Sequence, residues 1–191
     1  MGLHAIYSGT RAPPLSALQS LFAKEPSNAP QHRYLALQIA HNLRFQHNWT
    51  ELHIHMLSGS SGRDFCLISG VPPERLYVHP DEQIDLLQKQ KNEGKSGMPQ
   101  MAAEREWVMP SHLRERWSLR RFGETFDAVS IVPSPADGTI VDFDAQSKSP
   151  THQDVDNPWR TSKRFLLATL DDDSTVVYYI VHDGLVKPRQ N

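Results

Sequence analysis

Phe165-Leu166-Leu167-Ala168-Thr169-Leu170, then Asp171-Asp172-Asp173-Ser174, then Thr175-Val176-Val177-Tyr178-Tyr179-Ile180-Val181 is the stretch that decides the fold. Two apolar, β-branched and aromatic runs flank a polar turn, which predicts a hairpin with a four-residue connection. The second run has no polar face. Val176, Tyr178 and Ile180 fall on one side, and Val177, Tyr179 and Val181 on the other. A strand apolar on both sides suits a central position under helices. It equally suits a last, edge position that another chain completes. The residues leave both open. The three carboxylates of the turn repel one another unless solvated or paired. Solvation is the simpler reading, and docking into a basic pocket of another protein is the sharper one.

Working outward, residues 133–158 are rich in Pro, Ser, Asp and Gln and predict a long mobile loop. Before it, Leu119, Phe122, Phe126 and Val129 recur at helical spacing, with Ser118 or Ser111 as the cap. Glu106-Trp107-Val108-Met109 reads as a short strand ended by Pro110. His79-Pro80-Asp81-Glu82 opens a helix capped by Asp81, with Ile84, Leu86 and Leu87 as its apolar side. Leu76-Tyr77-Val78 and Asp64 to Ile68 read as strands. Trp49 to Met56 alternates, with Leu52, Ile54 and Met56 facing one way and Glu51, His53 and His55 the other. Ala36, Ile39, Ala40 and Leu43 place a helix over 31–47. Residues 1–30 read as a poorly ordered extension carrying one short helix around Leu15, Leu18, Leu21 and Phe22, so the domain proper spans 31–191.

The chain has 191 residues, enough for one domain with a core. Hydrophobic residues make up 38%, and 14 prolines fit a core plus polar loops. A net charge of -2 gives no global pull on nucleic acid, so any RNA contact needs a local basic patch. Cys66, the only cysteine, lies in an apolar run and reads as a buried small hydrophobe in a reducing compartment. No apolar stretch reaches membrane-span length and no signal core opens the chain, which predicts a soluble intracellular protein.

Ser174-Thr175-Val176-Val177-Tyr178-Tyr179, followed by His182-Asp183-Gly184 and Lys187-Pro188, resembles the C-terminal signature of a known family. This is the small structural, fifteen-kilodalton-type subunit of the eukaryotic tRNA-splicing endonuclease, in its fungal form. Trp49-Thr50-Glu51, the run from Gly70 through His79-Pro80-Asp81-Glu82-Gln83, Glu106-Trp107-Val108-Met109-Pro110 and Trp117 to Phe122 resemble it too. The likeness runs from Tyr34 to Asn191, leaving out 133–158. It implies an α/β (α+β) fold, a small tRNA-intron endonuclease-like domain with a mixed or antiparallel sheet and flanking helices. It implies a non-catalytic subunit of a heterotetramer of catalytic and structural subunits, meeting precursor tRNA through the complex. Val176, Val177, Tyr178, Tyr179, Ile180 and Val181 would pair with a partner strand. Asp171, Asp172 and Asp173 would form an acidic docking loop. The implied compartment is the nucleus, with the cytoplasmic surface of an organelle as the alternative.

The family's catalytic subunits use a Tyr, a His and a Lys, the His lying in a Gly- and Phe-rich segment before the final hairpin. Here that segment is Asp156-Asn157-Pro158-Trp159-Arg160-Thr161-Ser162-Lys163, without a histidine, and His152 lacks the expected neighbours. The expectation is no active site, no cofactor and no metal, with Lys163 and Arg164 serving RNA or solvent. Rival readings are a stand-alone homodimeric adaptor and a His-based ribonuclease or metal hydrolase. The latter would use His53 and His55, spaced for zinc on one strand face, with His79 or His32. Arg114, Arg116, Arg120 and Arg121, with Glu115 between them, form a local basic run. It reads as a solvated face or a weak phosphate contact.

Overall fold

The computed structural model describes residues 13–97, 99, 101–143 and 157–184. Thus 1–12, 98, 100, 144–156 (with His152) and 185–191 (with Lys187 and Pro188) lie outside the described residues. Ser16 opens α1, Ala17–Lys24, through a reciprocal capping box with Gln19. Leu21 is buried, and the Phe22 ring stands edge-on to Tyr34 at 5.4 Å. Glu25 grips Arg33 through both carboxylate oxygens and so fastens α1 to α2, Gln31–Gln46. One side of α2 buries Ala36, Leu37, Ile39, Ala40 and Leu43 against the sheet.

The sheet has six strands: β1 Thr50–Ser58, β2 Asp64–Val71, β3 Glu106–His112, β4 Thr139–Ile140, β5 Arg164–Leu170 and β6 Val176–His182. Their spatial order is β4-β1-β2-β3-β5-β6. All neighbours are antiparallel except β3 and β5, which run parallel. A parallel pair needs a crossover, and α4, Leu119–Ala128, lies within it. Ile54, Cys66, Ile68, Val108, Leu166 and Ala168 form the core with α2 on one face. Leu67, Trp107, Met109 and Phe165 form a second core on the other face with Phe126, Val129 and Phe122. The architecture is an α+β domain with a mixed sheet, as the family resemblance implies.

Several local expectations give way to tertiary context. Residues 76–78 are not a strand. Beyond β2 the neighbouring position belongs to β3, and Arg75 leads the chain away by binding Glu82, Glu104 and the Ala102 carbonyl. Pro110 does not end β3. Pairing with β2 stops at Val108, so the missing N–H falls where only β5 remains a neighbour. In α3, Pro80–Asn92, the cap is His79, whose ring accepts the Asp81 amide hydrogen, with Pro80 at the first turn. Ile84 and Leu87 are exposed, and the buried residue of α3 is Glu82. Ser118 does cap α4, but Leu119 is 90% exposed and stands outside the stripe. The hairpin connection runs over five residues, 171–175.

The first part of 133–158 is built into the sheet. A 3-10 turn at Pro135–Asp137 leads into β4, which pairs with β1 at His53 and Ile54, and Val141 and Phe143 pack on the core. This strap buries His53 and His55, although their alternation with Leu52 and Ile54 is the pattern of a solvent-facing side. A Cβ on Gly138 would come within 2.8 Å of both histidines, so only glycine fits that crossing.

Three carboxylates and three guanidiniums form a buried cluster where β3 and β5 begin. Arg160 binds Glu104 at 3.1 Å and Glu106 at 3.0 Å, Arg164 binds Glu104 at 2.7 Å, and Arg75 binds Glu104 at 3.0 Å and Glu82 at 2.6 Å. Arg164, expected to serve RNA or solvent, is thus committed internally, and Lys163 donates to the Phe126 carbonyl at 2.6 Å. Burial alone would raise the Glu104 carboxyl. The Asn157 amide and the surrounding arginines reverse that and hold it below its ordinary range. Glu106→Ala would leave Arg160 and Arg164 buried and short of a carboxylate. We expect a loss of about 3–5 kcal/mol in urea unfolding, and a loss under about 1 kcal/mol would mean the cluster relaxes freely.

Candidate partner-docking edge

The final hairpin places β6 at the border of the sheet, and no described strand lies beyond it. Its register is fixed by seven pairs from Arg164↔His182 to Leu170↔Val176. On the α2 side, Val176 packs on the core and the Tyr178 hydroxyl donates to the Asn42 side-chain oxygen at 2.6 Å. The His47 ring stands edge-on to Tyr178. Burial pushes the Tyr178 hydroxyl well above its ordinary pKa. On the α4 side, α4 covers Phe165 but not the strand border, so Val177 and Tyr179 are 45% and 56% exposed. Ile180 is also exposed. Of the two positions open from sequence, β6 therefore occupies the edge.

Within the 171–175 connection Asp171 pairs with Thr175, so the loop itself is residues 172–174. Asp171 and Thr175 pair through the Asp171 amide, Ser174 donates to the Asp171 carbonyl, and Ser174 sits at φ 70. Asp171 accepts the Asp172 amide hydrogen at 2.7 Å and Asp173 accepts that of Thr175 at 2.8 Å. The Thr175 hydrogen bond holds the Asp173 carboxyl below its usual range. Asp172 reaches across to the end of β3 and the loop after it, where it lies 3.2 Å from His112 Nε2 and binds Arg114.

The four arginines of the basic run do not form one open cationic face. Arg114 and Arg116 precede α4 rather than ride on it. Arg114 is on Asp172, Arg120 on Glu124, and Arg121 on Glu115 and over the Trp117 ring at 3.9 Å. Arg116 is exposed and makes no ion pair among the described residues.

His53 and His55 stay neighbours on β1, while His79 and His32 lie on other elements. His53 Nδ1 bonds the Glu51 carbonyl at 2.9 Å, and His55 Nε2 bonds Ser69 Oγ at 2.8 Å. His79 caps α3 and stacks on Trp159. His32 lies in the first turn of α2. No group of three His, Cys, Asp or Glu residues fit to hold a metal occurs among the described residues. The Ser69–His55 contact lies beneath the β4 strap, Ser69 fully buried and His55 nearly so, which leaves a nucleophile there no open surface. Cys66 is buried beside Met56, and burial pushes its thiol up to about 11, which makes it an inert packing group.

The class of protein is thus an α+β sheet domain whose last hairpin presents, among the described residues, an apolar border strand and an acidic turn. The chain belongs to the Sen15 protein family, whose model matches residues 38–191. It is 44% identical over 170 residues to a probable tRNA-splicing endonuclease subunit, tsp-1, of Neurospora crassa, covering 86% of this chain and 69% of that protein. It is 26% identical over 151 residues to a probable tRNA-splicing endonuclease subunit, sen15, of Schizosaccharomyces pombe, covering 78% of each. No helix among the described residues is long and apolar enough to cross a membrane.

His55 supplies a pH test of the strap. Burial and the His53 charge lower its pKa from 6.5 to about 4. The unfolded chain therefore takes up this proton first, and stability falls as pH drops from 6.5 towards 4. One such group contributes about 3 kcal/mol across that window. His53, His41 and His182, lowered chiefly by burial, add in the same direction. Urea midpoints measured between pH 7 and 4 should fall, and His55→Gln should flatten the fall.

Proposed function

We propose that this chain is a non-catalytic structural subunit of a tRNA-splicing endonuclease that braces a catalytic subunit by adding β6 to that subunit's sheet. The observation that carries this reading is the border strand, uncovered among the described residues, with Val177, Tyr179 and Ile180 exposed. A seven-residue edge strand with six apolar or aromatic residues is an aggregation hazard in isolation, and a partner strand removes it. The relatives' names supply the complex. The acidic turn at Asp171, Asp172 and Asp173 is the second contact, to a basic surface in the other half of a heterotetramer. Direct RNA binding by the basic run is left out, because acids already face Arg114, Arg120 and Arg121. The burial of His53 and His55, each already bonded within the fold, favours a supporting role over a hydrolytic one. The compartment follows the complex, here the nucleus, and imaging of a tagged chain at native expression checks it.

Tyr179 is the position at which an added charge tests the seam alone. Tyr178 holds Asn42, so a charge there would disturb the fold as well as the seam. Tyr179→Asp should leave the melting temperature of the isolated chain within a few degrees and abolish co-purification of the catalytic subunit. Retention of the partner would refute the strand assignment. Replacing Asp171, Asp172 and Asp173 together by Lys should spare the heterodimer and weaken the tetramer. Cleavage of an intron-containing precursor tRNA by the purified chain alone would overturn the non-catalytic role.

A further inference from the structure

The acidic turn does not present three free carboxylates. Asp171 and Asp173 each cap a backbone amide of the turn itself, and Ser174 supplies the left-handed residue. The shape of the turn is therefore set without the Asp172 side chain. Asp172 alone leaves the turn, and it meets two donors, His112 at the end of β3 and Arg114 in the loop that follows. His112 Nδ1 accepts the Arg114 amide hydrogen at 3.2 Å, so in the neutral ring the hydrogen sits on Nε2, 3.2 Å from Asp172 Oδ1. That loop is anchored to the hairpin by the Leu113 amide, which donates to the Leu170 carbonyl at 2.8 Å. The mount is firm, yet the pair is open to water: the Arg114 and Asp172 side chains are 77% and 54% exposed.

We propose that Arg114, seconded by His112, is an intramolecular latch on Asp172, and that a basic partner surface docks on the acidic turn by displacing it. This rests on the docking role given to the turn above. The physical reason is competition for one carboxylate. A partner cation reaching Asp172 exchanges one ion pair for another and gains nothing from that contact unless it out-competes Arg114. A lone surface lysine cannot do so, because the resident guanidinium is already tethered in place. A cluster of cations can, because it also engages the outward sides of Asp171 and Asp173. The latch thus sets the class of partner, a multi-cationic pocket rather than any positive surface.

An exposed pair of this kind contributes at most about 1 kcal/mol, or about fivefold in affinity. The test is a dilution series of the full complex, reconstituted with its catalytic subunit, read as the heterodimer–tetramer dissociation constant. Arg114→Ala should tighten tetramer formation by about two- to fivefold. Asp172→Asn should weaken it, and adding Arg114→Ala to Asp172→Asn should change nothing further, since the arginine acts only through that carboxylate. A weaker or unchanged tetramer with Arg114→Ala, while Asp172→Asn weakens it, overturns the latch alone. Indifference of the tetramer to replacing all three aspartates by Lys overturns the docking role and the latch with it.

Discussion

The pairing of Glu106 with Arg164 is the constraint on which the rest of the structure depends. Val108 stands opposite Leu166 in the parallel pair, so two residues earlier on both strands Glu106 stands opposite Arg164. The two side chains are bonded at the start of the ladder, and Glu104 and Arg160 repeat the arrangement one step further out. A slip of one residue in β5 would turn every side chain to the wrong face and pull a buried guanidinium off its carboxylate. A hydrophobic cluster of the same volume could match this one in net stability, because desolvation offsets most of the attraction. It would not fix register. Here the two strands are separated in sequence by a long crossover whose closure supplies little guidance, and charge pairing chooses the alignment.

That cluster is also the part of the fold least visible in the sequence. The final hairpin, α2, the β1–β2 pair and the Ser118 cap are written in local periods of two and of three to four, and in turn residues. Glu104, Glu106, Arg75, Arg160 and Arg164 carry no such period. They read as ordinary surface charges, because their partners lie far along the chain. The same blindness explains the histidines. His53 and His55 alternate with Leu52 and Ile54 as a solvent face should, and only the β4 strap, arriving from a loop that reads as disordered, buries them. Pro110 and 76–78 fail for the complementary reason. Local propensity carries no information about which flank of each segment a neighbour uses. At the candidate site, the apolar border and the acidic turn were legible. Which face α2 would close, and that Arg114 would hold Asp172, were not.

The two-sided apolar character of β6 now divides into two causes. Val176 and Tyr178 are apolar because α2 lies over them, with Asn42 meeting the one polar atom. Val177 and Tyr179 have no such cover within the described chain. The pattern that left a central and an edge strand equally open is thus half internal packing and half unfilled surface. An isolated strand with that surface would bend, twist or recruit at random unless its frame held it.

The frame holds it at both ends. At one end His182 pairs with Arg164, and the Tyr77 ring lies 4.6 Å from His182 and 5.4 Å from the Arg164 guanidinium, so the border strand is braced on the same buried cluster that sets the register. At the other end the turn is closed by its own amide caps and moored to the end of β3 and the loop after it. A border held in register from both sides is already in the conformation that an added strand requires. The ordering cost of association then falls chiefly on the incoming chain. Affinity at such an edge is governed less by the area of Val177 and Tyr179 than by the rigidity behind them, and that rigidity traces back to Glu106 and Arg164.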